Sequence, residues 1–123
     1  SVLVLAMIET REALQNLDAI LAVEGIDGVY VGPSDLGLSL GHEPTLEPTA
    51  PEVLSAIAEI VSRTRAAGRI AGVHTGSPAM IRAMHAQGYH FASLLTDVRL
   101  FVSALAGQLA AVRETTVETV KGY

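Results

Sequence analysis

Gly28-Val29-Tyr30-Val31 is a short apolar run set between two turns. Gly25 precedes it and Gly32-Pro33 follows it. A run of that length, with no polar residue and a glycine on each side, fits a strand buried in a parallel sheet. Working outward, Val2–Ile8 is a second apolar run and predicts the strand before it. Between them, Glu12–Val23 carries Leu14, Leu17, Ile20 and Leu21 at helical spacing, and Gly25 suits the helix C-terminus. Downstream, Leu36–Leu40 fits one short helical turn before Gly41, and His42–Pro51 is a polar loop with three prolines. Thr49-Ala-Pro-Glu52 reads as a capping box for a helix bearing Val53, Ile57, Ile60 and Val61 and ending at Gly68.

The rest repeats the alternation. Ile70–Val73 predicts a third strand. Ser77-Pro78 is an N-cap with proline in the first turn, opening a helix over Met80–Ala86 that Gly88 closes. Tyr89–Leu95 predicts the fourth strand, and Asp97 is expected to cap a last helix with Leu100, Phe101, Ala104, Leu105, Leu109 and Val112. The tail from Glu114 to Tyr123 is expected to continue that helix or fray. The order βαβαβαβα implies a parallel sheet with right-handed crossovers, an α/β fold in a single domain over residues 1–123. At ~31 residues per unit it matches half of a ~250-residue (β/α)₈ TIM barrel. A small open doubly wound sheet fits the periodicity equally well. Ser1 runs straight into an apolar strand, as expected of a piece cut from a longer polypeptide or of a processed terminus.

Composition narrows the classes. The 123 residues are half apolar and carry eight Lys+Arg against thirteen Asp+Glu, net −5. An apolar half excludes a disordered chain, and the acidic balance argues against nucleic acid as a partner. Arg63, Arg65 and Arg69 form the one basic cluster, expected as a solvated helix face. With no cysteine, disulfides, zinc–thiolate sites and thiol catalysis are excluded. No apolar run reaches the ~18 residues of a membrane span, and no signal peptide is evident, so a cytoplasmic location without membrane partners is the expectation.

In a parallel α/β sheet, functional groups gather at the C-terminal strand ends. Those ends carry Glu9-Thr10, Gly32-Pro33-Ser34-Asp35, His74-Thr75-Gly76 and Thr96-Asp97. Glu9 and Asp35 could share one hard cation, since Mg²⁺ takes one or two carboxylates and completes its shell with water and substrate oxygens. They could equally favour the dipoles of the helices that follow them. Gly32–Leu36 predicts a turn with free amides at Ser34, Asp35 and Leu36 that suits a carboxylate or phosphate, or an ordinary strand-to-helix turn. Of the histidines, His42, His85 and His90 read as surface or core-edge residues, whereas His74 ends a strand where a base or a supporting donor would stand. No dinucleotide fingerprint, Walker loop or nucleophile elbow is present.

Met7-Ile8-Glu9-Thr10, the run Ile20 to Val29 with Glu24-Gly25-Ile26-Asp27-Gly28, and Gly32-Pro33-Ser34-Asp35-Leu36 together resemble the HpcH/HpaI aldolases and the wider citrate-lyase-β-like group. The resemblance runs through about Ala111. It implies the C-terminal half of a (β/α)₈ barrel. It also implies that Glu9 and Asp35 bind a divalent metal (Mg²⁺, Mn²⁺ or Co²⁺), and that the amides of Ser34 and Asp35 hold the carboxylate of pyruvate. Leu94 matches a further backbone contact to substrate. The implied function is a class II aldolase, cleaving 2-keto-4-hydroxy acids to pyruvate and an aldehyde, in a homo-oligomer. A citryl- or malyl-CoA-type lyase, or a non-catalytic half-barrel that binds an acid or assembles, are the alternatives. The family's arginine on the keto oxygen and its proton-transferring histidine belong to the preceding half-barrel, outside this chain, so the catalytic residues are unknown. Neither role passes to Arg11 or His74. Leu95 departs from the family, which has glycine or another small residue before Thr96-Asp97. On these grounds the isolated chain is expected to bind metal and pyruvate weakly and to turn over poorly.

Overall fold

A computed structural model describes residues 2–113. Residue 1 and the tail 114–123, on which two of the expectations above fall, lie outside the described residues. Four strands, β1 (Leu5–Ile8), β2 (Gly28–Val31), β3 (Ile70–Thr75) and β4 (Phe91–Leu94), alternate with six helices. These are α1 (Arg11–Gln15), α2 (Leu17–Leu21), α3 (Pro33–Ser39), α4 (Pro51–Ala66), α5 (Pro78–Gln87) and α6 (Asp97–Arg113). All strand pairs are parallel and the sheet order is β1-β2-β3-β4. That sequential order decides between the two architectures the periodicity left open. A doubly wound sheet reverses its strand order at a switch point, whereas a barrel adds each strand beside the last.

The two faces of the sheet differ sharply. Ile8, Val31 and Val73 lie in one row across β1, β2 and β3, with Val29 and Ala71 in the row behind, and all five are fully buried. They pack against Leu17 and Leu21 of α2, Leu36 of α3, and Val53, Ile57, Ile60 and Val61 of α4. Each fully buried aliphatic side chain contributes about 1.5–3 kcal/mol relative to exposure. The opposite face carries Met7, Tyr30, Gly72 and Phe91 in one row, and there Met7 is 54% and Phe91 40% exposed. In a closed (β/α)₈ barrel that face would line the interior. Among the described residues no helix is long and apolar enough to cross a membrane.

Several boundaries move from their expected places, each for a local reason. The first strand begins at Leu5, not Val2, because Val4 is tied to a loop: its amide donates to Asp27 Oδ2 at 2.7 Å and its carbonyl accepts from the Asp27 amide at 2.8 Å. The expected Glu12–Val23 helix is two helices. Asn16 donates from Nδ2 to the Glu12 carbonyl at 2.9 Å, competing with the backbone and breaking the helix between α1 and α2. The capping box at Thr49 does not form. Ala50 is the N-cap of α4 without a side-chain bond, and Pro51 takes the first helical position. Glu52 turns instead to His42, 3.0 Å away, and to Arg11 at 3.5 Å.

The Ser77 cap does form, accepting from the Met80 amide at 3.2 Å, and Gly88 closes α5 with φ +103°. At the last helix the cap is Thr96 rather than Asp97: its hydroxyl oxygen accepts from the Arg99 amide at 3.3 Å, while Asp97 Oδ1 accepts from the adjacent Val98 amide. The basic cluster is not simply a solvated face. Arg63 bonds Asp18 at 2.9 Å and Glu59 at 2.8 Å, and Arg69 donates to the Ile26 carbonyl at 2.6 Å, bolting α4 and the start of β3 to the α2 end of the chain. Tyr89 is buried at the opposite side, its hydroxyl donating to the Ile57 carbonyl at 2.9 Å; burial pushes its phenol well above the usual range. None of the residues of α6 is buried, and Phe101 is 69% exposed.

Candidate metal and keto-acid site

Strand register builds the site. Ile8 pairs Val31, Val31 pairs Val73, and His74 pairs Ser93. One residue further on, Glu9, Gly32, His74 and Ser93 therefore share a rung across the sheet, on the barrel-interior face. The Gly32 amide donating to the Ile8 carbonyl at 3.2 Å carries the ladder to that level.

Glu9 then leans across Gly32. A Cβ built on Gly32 would lie 3.0 Å from Glu9 Oε2 and 3.9 Å from Asp35 Oδ2. The two carboxylate oxygens flank one point, so their separation cannot exceed the sum of those distances. Glycine at 32 leaves the room they converge on. Neither carboxylate has a hydrogen bond or ion pair among the described residues. Two adjacent, unpaired carboxylates are a hard-oxygen donor set of the kind Mg²⁺ accepts, with its remaining positions left for water and substrate. Among the described residues no group of three His, Cys, Asp or Glu gathers to hold a metal. A cation here would rest on two protein ligands, which Mg²⁺ tolerates and a closed zinc site does not. The donor set thus fits a hard divalent cation.

The amides expected to hold a carboxylate are two rather than three. Helix α3 starts at Pro33, a turn earlier than Leu36, so the Leu36 amide donates to the Gly32 carbonyl at 2.9 Å. Ser34 and Asp35, in the first turn after Pro33, keep their amides free of backbone partners among the described residues. Both stand directly beside the carboxylate pair, since Asp35 belongs to it.

The other expected residues sort as follows. Leu94 lies on the edge strand β4 opposite Thr75. Leu95, next to it, adopts φ +51°, and its amide donates to the Thr75 carbonyl at 2.9 Å. That left-handed backbone is one that glycine adopts without steric cost and leucine does not. Arg11 points away from the rung, with its amide on Ser39 Oγ at 2.9 Å and its guanidinium on the Leu40 carbonyl at 3.1 Å. His90 accepts from the Ala71 amide at 3.0 Å, and His85 reaches the Tyr89 carbonyl at 3.3 Å, so both hold backbone. His74 differs: its Nδ1 meets Ser93 Oγ at 2.7 Å and Tyr30 Oη at 3.4 Å, on the same face as Glu9. Tyr30 and Ser93 were not singled out from sequence. On β2 the alternation of Tyr30 with buried Val29 and Val31 is the signal that marks it as interior-facing, whereas Ser93 lies on a strand with no buried residue and carries no such signal.

Residues 1–104 match the model of the family described as HpcH/HpaI aldolase/citrate lyase. A hydroxypyruvate/pyruvate aldolase of Rhizorhabdus wittichii is 49% identical over 107 residues, 87% of this chain and 42% of that protein. A 2-keto-3-deoxy-L-rhamnonate aldolase of Salmonella paratyphi B is 42% identical over 122 residues, covering 98% of this chain and 45% of that protein. Among solved structures, an HpcH/HpaI aldolase/citrate lyase family protein from Burkholderia cenocepacia superposes with a TM-score of 0.83 at 30% identity, over 91% of this chain and 43% of that one. The chain spans less than half the length of these relatives. With the parallel (βα)₄ order, the family motifs and the family-model match in agreement, the chain belongs to the HpcH/HpaI aldolase/citrate lyase family.

Proposed function

We propose that this chain supplies the metal- and keto-acid-binding part of a class II pyruvate aldolase. The reaction is reversible cleavage of a 2-keto-4-hydroxy acid to pyruvate and an aldehyde. One observation carries the reading: Glu9 Oε2 and Asp35 Oδ2, unpaired among the described residues, face the same space over Gly32.

Glu9 and Asp35 would hold the divalent cation, Mg²⁺, Mn²⁺ or Co²⁺. When bound, that cation supplies Lewis-acid stabilisation of negative charge on the keto oxygen. The amides of Ser34 and Asp35 would orient the substrate carboxylate, and the backbone at Leu94 would bound the pocket on the β4 side. In the cleavage direction the C3–C4 bond breaks. Its electron pair moves to C3–C2, the C4 hydroxyl loses its proton to become the aldehyde, and C3 is later protonated to give pyruvate. Arginine and histidine donors that the family resemblance implies for those proton steps would come from another half-barrel. The chain alone therefore turns over poorly, and it self-associates to cover its interior face and open strand edges, a homo-oligomer.

Pyruvate release tests this, measured with lactate dehydrogenase on the polypeptide that carries this chain. A Mg²⁺-dependent rate on 4-hydroxy-2-oxo acids should fall about a hundredfold or more in Glu9→Gln and in Asp35→Asn. Cleavage of an acyl-CoA substrate with the keto acids inert would replace this reading by a thioester lyase. A rate indifferent to both substitutions would leave a half-barrel that binds or assembles without these carboxylates.

A further inference from the structure

We propose that His74 is a specificity residue, whose Nε2 hydrogen-bonds the oxygen on the fourth carbon of the keto acid. This rests on the Proposed function above and extends it to the distal half of the substrate. Three observations carry it.

The first is position. His74 shares a rung and a face with Glu9, two strand spacings away, or ~9.6 Å between backbones. Both side chains lean toward the barrel interior, so a small keto acid chelated at Glu9 and Asp35 would extend its distal carbons toward the ring. No other titratable side chain stands on β2, β3 or β4 at that rung, since Gly32 and Ser93 fill the other places.

The second is rigidity. Ser93 Oγ and Tyr30 Oη both reach Nδ1 and also bond each other. The Tyr30 ring is itself fixed, stacking on Phe91 with centroids 5.7 Å apart. Gly72 lies beneath them, and a Cβ there would collide with the Phe91 ring. Thr75 Oγ1 donates to the Ser93 carbonyl at 2.7 Å, holding β4 against β3 at this rung. A ring nitrogen tied in this way fixes the orientation of the imidazole.

The third is the free nitrogen. All of the contacts of His74 are through Nδ1, and Nε2 has none among the described residues. Among those residues no buried side-chain nitrogen or oxygen lacks a partner, so Nε2 is open to solvent. An anchored imidazole with its outer nitrogen exposed on the pocket face is built to bind something other than protein.

The test measures binding of 4-hydroxy-2-oxobutanoate and 2-oxobutanoate by calorimetry, using the full chain with saturating Mg²⁺. The hydroxylated acid should bind about tenfold more tightly. His74→Leu should abolish that preference, His74→Gln should keep part of it, and Ser93→Ala should weaken it. In the unsubstituted chain, the His74 Hε1 resonance should shift with 4-hydroxy-2-oxobutanoate and stay in place with 2-oxobutanoate, a readout independent of any variant's folding. A preference that survives His74→Leu, or no preference at all with both acids bound, overturns the role of His74 and leaves the metal site standing. Failure of Mg²⁺ and of both acids to bind overturns the site reading and this inference together.

Discussion

Glu9 lays its carboxylate over Gly32, with Oε2 3.0 Å and Cβ 3.4 Å from where a side chain at 32 would begin. Strand β1 thereby reaches the same space that Asp35, in the first turn of α3, also faces. Gly32 has φ −101° and ψ 91°, a conformation alanine also adopts. Gly32→Ala should therefore leave stability nearly unchanged while displacing the Glu9 carboxylate. Calorimetric Mg²⁺ affinity should drop about tenfold. Undiminished affinity would mean that the carboxylate does not use this space.

The Glu52 carboxyl is held below the ordinary carboxylate value, chiefly by its hydrogen bond from His42 and then by the charge of Arg11. A group depressed in the folded state contributes stability that is present above its unfolded value. That stability is lost as pH falls through the lower folded value. The pair is exposed, so the effect is small and screened by salt. In ¹³C titrations, Glu52 should move back toward the ordinary value in His42→Ala. An unchanged midpoint would assign the shift to Arg11 instead.

Leu95 pays for its left-handed backbone, which disfavours any side chain and β-branched ones most. Leu95→Gly should be close to neutral in urea denaturation, relief of strain offsetting lost packing and added chain entropy. Leu95→Val should destabilise by about 1–2 kcal/mol. Equal tolerance of valine and glycine would contradict the left-handed conformation.

The interior face leaves Met7 and Phe91 substantially exposed, and among the described residues β1 and β4 are open edges. Unpaired edges beside apolar surface template association. Light scattering on the purified chain should give a mass above that of one copy, and Phe91→Glu should lower it. A clean monomer at high concentration would contradict this expectation.

Much of the fold was legible because glycine and proline mark its joints. The predicted β2 coincides with the strand formed, and Ser77, Pro78, Gly68 and Gly88 bound the helices as read. The misreadings share a cause: a side chain found a partner that hydrophobic spacing does not reveal, one helical turn away for Asn16 and across the fold for Asp27 and Glu52. Asn16 took the Glu12 carbonyl, Asp27 took Val4, and Glu52 left its capping box for His42 and Arg11. At the site, Glu9 and Asp35 were legible as strand-end carboxylates, but their convergence depends on a β1–β2 register that no local pattern states. Tyr30 and Ser93 were hidden because each is an ordinary strand residue until His74 lies between them.

At the centre of the proposed site two carboxylates share one cation. Electron paramagnetic resonance of Mn²⁺ titrated into the chain, with and without oxalate, measures this directly. One bound Mn²⁺ per chain is expected, its spectrum altered by oxalate, and both Glu9→Gln and Asp35→Asn should remove it. Binding that persists unchanged in either variant would contradict the shared site.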